Sequence, residues 1–145
     1  MSAKPAAKRF MVAIVLGAAF GLLCVTLAAK HQPELASVTH PIFWTIMTDR
    51  ILIGLVVALA GAYTVHPVFG FPFRPRVRGS CLGVLVSLPL ATGGMTGPAT
   101  AMVSPWVIFI LTLVSGAVYG FIIDWVATRI GGEGTALLGD APPAA

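Results

Sequence analysis

Four long apolar runs dominate the sequence and constrain its fold more than any other feature. They cover residues 10–29, 42–64, 79–95 and 106–130. A helix needs about 20 apolar residues to cross a hydrocarbon core of about 30 Å. Only 10% of the residues are charged, whereas soluble domains average about 25%. The sequence therefore predicts an all-α integral membrane protein, with four transmembrane helices packed as one bundle over residues 10–130.

Short polar segments flank this single domain. Residues 1–9 form a basic N-terminal segment, and residues 131–145 are rich in Gly, Ala and Pro, which is typical of a flexible tail. The first run resembles a signal peptide, but it exceeds the roughly 7–15 apolar residues usual in one. We therefore expect a retained helix, and cleavage after it is the alternative that the sequence leaves open.

The basic residues lie mostly on one side of the four spans. With the N-terminus inside, seven fall on the inner side and one on the outer side. The inner set is Lys4, Lys8, Arg9, Arg74, Arg76, Arg78 and Arg129, and the outer residue is Lys30. The positive-inside rule then predicts that both termini are cytoplasmic. We expect the protein in a prokaryotic inner (plasma) membrane.

The inner loop HPVFGFPFRPRVRG alternates aromatic rings with Arg74, Arg76 and Arg78. Its prolines disfavour a regular helix, and rings beside guanidinium groups suit the headgroup zone. The loop predicts anionic lipid headgroups as partners, and an acidic protein partner is the alternative. The net charge is +4, but the basic residues form short blocks beside apolar runs. Nucleic-acid binding is therefore not expected.

Each predicted helix carries small residues at four-residue spacing. Lipid gives helices no hydrophobic reason to associate, so close backbone contact must stabilise the bundle. The small positions are Gly17, Gly21, Gly54, Ala58, Gly83, Ser87, Gly116 and Gly120. They predict tight packing. A four-helix bundle has a thin interior, so we also expect a homo-oligomer or a subunit of a larger membrane complex.

A shift of 66 residues aligns parts of the two halves of the chain. LG at 16–17 meets LG at 82–83, and IF at 42–43 meets IF at 108–109. These matches hint at two similar helical hairpins in parallel orientation.

Three charges lie inside the apolar runs: Asp49, Arg50 and Asp124. Each would cost about 2.5–3.5 kcal/mol in lipid, so we expect them to face protein or water. Arg50 continues the small-residue stripe of the second helix and should point at a neighbouring helix. Asp49 lies about 100° around the helix from Arg50, so a direct ion pair between them is not guaranteed.

The third run is short and contains Pro89, Gly93 and Gly94, which predict that helix 3 is kinked or broken there. A break would leave free carbonyls near the depth of Arg50. We expect Arg50 to cap this broken helix and Asp49 to line the polar gap.

Asp124 lies on the small-residue stripe of the fourth helix, some 10 Å from Arg50 in depth. One hypothesis is a structural ion pair with a basic residue of the inner side. The candidates are Arg74, Arg76, Arg78 and Arg129. The other hypothesis is an ion- or proton-binding carboxylate.

The sequence contains no nucleophile motif, phosphate loop, carboxylate cluster or metal-ligand spacing. Cys24 and Cys81 lie in apolar runs and are interpreted as packing residues, and the histidines lie at the segment ends, where haem ligation is not expected. We therefore expect no enzymatic activity, cofactor or metal. The favoured function is a non-catalytic structural or assembly module. The alternative is a small transporter or channel for an ion or small solute, using Asp49, Arg50 and Asp124.

Overall fold

The computed structural model describes residues 5–30, 32–96 and 104–137. Within them lie four long helices: α1 (Pro5–Ala29), α2 (Pro41–Ala60), α3 (Pro75–Gly94) and α4 (Pro105–Gly131). Short 3-10 turns occur at Pro33–Ala36 and Gly134–Leu137. All four long helices are long and apolar enough to cross a membrane. The chain is therefore an all-helical membrane protein.

Proline marks the start of three long helices, since α2, α3 and α4 begin at Pro41, Pro75 and Pro105. α1 is helical from the first described residue, Pro5. Proline suits the first helical position because its missing N–H would have no partner there and its φ is already helical. α1 and α3 consequently start before the apolar runs at 10 and 79. This extension puts Arg9 and Arg78 inside helices rather than in polar flanks.

α3 is one continuous helix through Pro89 and ends at Gly94. Its 20 residues span about 30 Å at about 1.5 Å per residue, because it begins at Pro75. The expectation of a helix too short to cross is therefore wrong, and the helix is not broken at Pro89. It ends at the two expected glycines, and a kink at the proline stays a prediction.

The predicted flanks are only partly described, since Lys4 and residues 138–145 lie outside the described ranges. The first residues of the expected tail pack on the bundle. The N–H of Gly134 donates a hydrogen bond to the Gly61 carbonyl at 2.9 Å, and Glu133 pairs with Arg78. The packed part of the chain thus continues to Leu137.

The helices form two antiparallel hairpins, α1–α2 and α3–α4, each with an extensive internal interface. α1 also packs on α4, α2 packs on α3, and α2 contacts α4 across the interior. The starts of α1 and α3 meet the ends of α2 and α4 through Arg9 and Arg78. We call this the basic end of the bundle and the opposite one the far end.

Glycine lets the backbones of α1 and α2 approach each other closely. A Cβ on Gly17 would overlap the carbonyl of Arg50, and a Cβ on Gly54 would overlap the carbonyl of Ala13. The two helices therefore meet backbone to backbone, as small-residue stripes allow in membranes.

The second hairpin repeats these contacts at positions that are 66 higher. A Cβ on Gly83 would overlap the carbonyl of Gly116, and a Cβ on Gly120 would overlap the carbonyl of Gly79. The two hairpins thus share one packing geometry and run the same way through the bundle. The faint sequence repeat corresponds to a repeat of contacts.

We predict that Gly54→Ala and Gly83→Ala destabilise the protein by about 1–3 kcal/mol, because the added methyl must push two backbones apart. Gly93→Ala is the matched control, since a Cβ there meets nothing within 4 Å. The measurement is the unfolding free energy in detergent from denaturant titration. If all three variants unfold alike, the close-packing account of these glycines is wrong.

Candidate functional site

A first polar cluster, here the Arg50 cluster, consists of Asp49, Arg50, Ser87 and Ser115 in the bundle interior. Arg50 Nη1 donates to Asp49 Oδ2 at 2.8 Å and to Ser87 Oγ at 2.9 Å. Its Nη2 donates to Ser115 Oγ at 2.8 Å, and Ser87 Oγ donates to Asp49 Oδ2 at 3.1 Å. Three helices are joined by this network, and both charged residues are buried.

These hydrogen bonds correct the expectation that Arg50 caps α3. The guanidinium bonds to side chains of α2, α3 and α4 rather than to the carbonyls at the end of α3. Asp49 and Arg50 also form a direct ion pair, since the long arginine side chain spans the 100° or so between adjacent positions. The sequence marked Ser87 for packing, and its hydrogen-bonding role was missed.

Aromatic side chains cover the remaining side of Arg50. The guanidinium carbon lies 5.1 Å from the centre of the Tyr119 ring, an arrangement that offsets part of the desolvation of the cation. Tyr119 in turn stacks on Phe20 of α1, with ring centres 4.4 Å apart. Within the described ranges, Arg50 Nε is a buried donor without a hydrogen-bond partner.

A second polar cluster, here the Asp124 cluster, lies at the basic end. Arg78 grips the carboxylate of Asp124 with two hydrogen bonds, from Nε to Oδ2 at 2.8 Å and from Nη2 to Oδ1 at 2.9 Å. Arg9 forms a further ion pair with Oδ1, and Glu133 accepts from Arg78 at 3.1 Å. Two arginines and two carboxylates balance in charge.

Arg9 also holds the ends of two helices. It donates to the carbonyls of Val57 and Ala58 at 3.0 and 3.2 Å, and to the carbonyl of Gly132 at 3.0 Å. It further donates to Thr128 Oγ1 at 2.8 Å. The last carbonyls of a helix lack intrahelical donors and carry partial negative charge, so a buried cation is stabilised there.

Two glycines make room for Arg9. A Cβ on Gly61 would overlap its guanidinium, and a Cβ on Gly131 would lie 2.5 Å from its Cβ and 2.6 Å from its backbone nitrogen. The end of α2 and the end of α4 therefore close around one arginine of α1.

Only part of this cluster was expected from the sequence. Of the candidate partners of Asp124, Arg78 makes the contact, whereas Arg129 lies over the Trp125 ring at 4.4 Å. Arg74 and Arg76 are exposed at the start of α3. Arg9 was missed, although it extends the four-residue stripe of α1 in the same way that Arg50 extends the stripe of α2.

An apolar layer separates the two clusters. Ile53 is fully buried there and packs in one apolar cluster with Ala13. The cluster continues to Val57 and Ile123, which are fully buried at the level of Asp124. Ser87 follows Arg78 by nine residues on α3, which corresponds to roughly 13 Å along the helix. The interior is therefore polar, apolar and polar in successive layers.

At Asp49 the Arg50 cluster borders a groove of about 490 Å³ between α2 and α3. Its wall on α2 includes Thr48, Asp49 and Leu52, and its wall on α3 includes Pro89 and Leu90. We call it the lateral groove, because it opens on the side of the bundle. Thr48 and Pro89 are exposed there.

The chain matches no protein-family model, no curated protein and no solved structure. The fold alone defines the class, a membrane protein of four apolar helices. Across residues 5–30, 32–96 and 104–137, no three His, Cys, Asp or Glu side chains are grouped to hold a metal ion.

We predict that Asp124→Asn destabilises the protein by about 3–5 kcal/mol, because two buried guanidiniums lose their carboxylate. Glu133→Gln is the control, since Glu133 also contacts Arg78 but its side chain is 34% exposed. The loss expected for the control is at most about 1 kcal/mol. Unfolding free energies in detergent measure both, and equal losses would contradict a dominant role for Asp124.

Proposed function

We propose that this protein is a non-catalytic structural module of a prokaryotic inner membrane, which self-associates or joins a larger complex through the lateral groove. The basic end, with both termini, faces the cytoplasm. Supporting this orientation, the described basic residues at that end outnumber Lys30, the one near the far end.

The observation that carries the proposal is that, among the described residues, each buried charged side chain has an oppositely charged partner in the same chain. Asp49 pairs with Arg50, and Asp124 pairs with Arg9 and Arg78. Glu133 supplies the second carboxylate for the two arginines around Asp124. The Asp124 cluster joins α1, α3 and α4, and the Arg50 cluster joins α2, α3 and α4 through the two serines. Paired groups of this kind are suited to holding a bundle together, because the lipid surroundings make their separation costly.

The lateral groove supports docking of a further transmembrane helix. It presents the Thr48 hydroxyl and the edge of Asp49 beside the apolar side chains of Leu52, Pro89 and Leu90. On the opposite side of the bundle, the position 66 residues later than Thr48 is Val114. A hydrogen bond between membrane helices contributes about 0.6–2 kcal/mol. The polar Thr48 therefore favours association at the lateral groove over association at the side that carries Val114.

We predict that a benzophenone attached at Thr48→Cys crosslinks to a protein neighbour in native membranes, because the groove receives a helix. Val114→Cys is the matched control: Val114 is 53% exposed and occupies the equivalent place on the other hairpin. Both variants carry Cys24→Ala and Cys81→Ala, which remove the native thiols. The measurement is gel mobility followed by mass spectrometry of the adducts.

An adduct between two copies would assign self-association, and an adduct with one other protein would assign a complex. Adducts that form equally from positions 48 and 114, or from neither, would contradict a helix in the groove.

The second candidate, a transporter or channel using Asp49, Arg50 and Asp124, is favoured by the opening of Asp49 to the groove. The fully buried Ile53 between the two clusters, packed in a continuous apolar cluster with Ala13, argues against a polar path through one chain. We predict that proton and alkali-cation flux into proteoliposomes equals that of empty liposomes. Flux above that level, abolished by Asp49→Asn in a folded variant, would establish transport instead.

A further inference from the structure

The loop between the hairpins has a defined fold. Thr64 and Phe73 are joined by a backbone hydrogen bond of 2.8 Å, and His66 donates its N–H to the Phe71 carbonyl at 2.9 Å. An isolated antiparallel bridge pairs Val65 with Pro72. Gly70 turns the chain with a φ of 70°, which favours glycine.

His66 organises the aromatic side chains of this loop. Its Nδ1 accepts hydrogen bonds from the backbone N–H groups of Val68 and Phe69, both at 3.2 Å. The ring centres of Phe69, Phe71 and Phe73 lie 4.8, 4.9 and 5.2 Å from that of His66. The phenyl rings are therefore held in place rather than collapsed into the bundle.

A second groove, of about 380 Å³, lies between these rings and α3, and we call it the loop groove. The loop contributes Phe69, Phe71 and Phe73, and α3 contributes Cys81 and Leu85. Phe69 is 75% exposed and Leu85 is 60% exposed. The apolar lining thus continues from the loop onto a helix face that would meet lipid.

Arg74 puts a positive charge next to Phe73, one of the rings that line this groove. It is the N-cap of α3 and lies seven residues before Cys81, about two helical turns along the axis. Within the described residues, no hydrogen bond or ion pair involves its side chain, whereas Arg9, Arg50 and Arg78 are all paired. The adjacent first turn of α3 adds backbone N–H groups that have no intrahelical acceptor.

We propose that the loop groove binds one anionic phospholipid of the surrounding membrane. An acyl chain lies between the phenyl rings and α3, and the lipid phosphate meets Arg74 and the first turn of α3. The apolar lining that continues onto α3 favours binding of an acyl chain, and the unpaired guanidinium of Arg74 favours binding of an anionic phosphate. The site rests on the proposed placement of the basic end at a membrane surface, but not on self-association.

The test counts lipids bound to the purified full chain by native mass spectrometry after titration with phosphatidylglycerol or phosphatidylcholine. We expect one phosphatidylglycerol to bind preferentially and Arg74→Gln to weaken it about fivefold, the equivalent of about 1 kcal/mol for one basic residue at an anionic surface. Arg76→Gln is the control, because it removes the same charge on an exposed residue about 140° away from Cys81 around α3.

Several results would overturn the site. Equal weakening by the two variants would indicate diffuse surface attraction, and equal binding of the two lipids would remove the role of the anionic phosphate. If inorganic phosphate or dihexanoyl phosphatidylglycerol competes for the site as well as the long-chain lipid does, the groove does not bind an acyl chain. Binding of a poly-glutamate peptide without lipid selectivity would assign the loop to an acidic protein. Crosslinking at Thr48→Cys reports separately on the proposed assembly function.

Discussion

The ion cluster around Asp124 is the interaction on which the arrangement of the four helices depends. The carboxylate belongs to α4, Arg78 to α3 and Arg9 to α1, and Arg9 also binds the last carbonyls of α2. Asp124 and Arg78 have no exposed surface, and Arg9 has almost none. Charges withdrawn from water so completely are tolerated only with nearly ideal partners, so helix placements that separate them are strongly disfavoured. Stability alone would not require ions here, since apolar side chains of similar size at these positions can stabilise a core equally well.

The two hairpins differ in the polar residues that join them. Within each hairpin, glycine brings the backbones together, and those contacts repeat after 66 residues. Between the hairpins, Arg50 of the first reaches Ser115 of the second, and Asp124 of the second reaches Arg9 of the first. The equivalents of Arg50 and Asp124 are Gly116 and Ala58, so the charges break the repeat. Because each charge occurs at only one of two equivalent positions, the charges specify how the two similar hairpins pack against each other. Small residues, which recur in both hairpins, would specify this arrangement less well.

The apolar runs were sufficient to predict the class and the number of helices, because the length needed to cross lipid leaves few alternatives. The first residues of the helices were harder to predict from the sequence. Hydropathy assigns Arg9 to the polar segment before the first apolar run, although Arg9 is buried in α1. Four-residue periodicity identified the inward faces of Arg50 and Asp124, but it carries no information on partners. An arginine side chain reaches across a helix interface in several directions, so Ser87, Ser115 and Arg9 emerged as partners only from the packing of all four helices.

The layered interior bears on where a function can lie. Among the described residues, the fully buried Ile53 and the apolar side chains packed on it lie between the two polar levels and interrupt the polar groups of the interior. Two grooves lie at the surface, namely the lateral groove beside Asp49 and the loop groove between the phenyl rings and α3. One opens toward the membrane between two helices, and the other lies where a helix begins beside exposed rings. Both grooves are open to ligands that approach from within the bilayer, which is why we propose recognition of neighbouring helices or lipids there rather than conduction through the bundle.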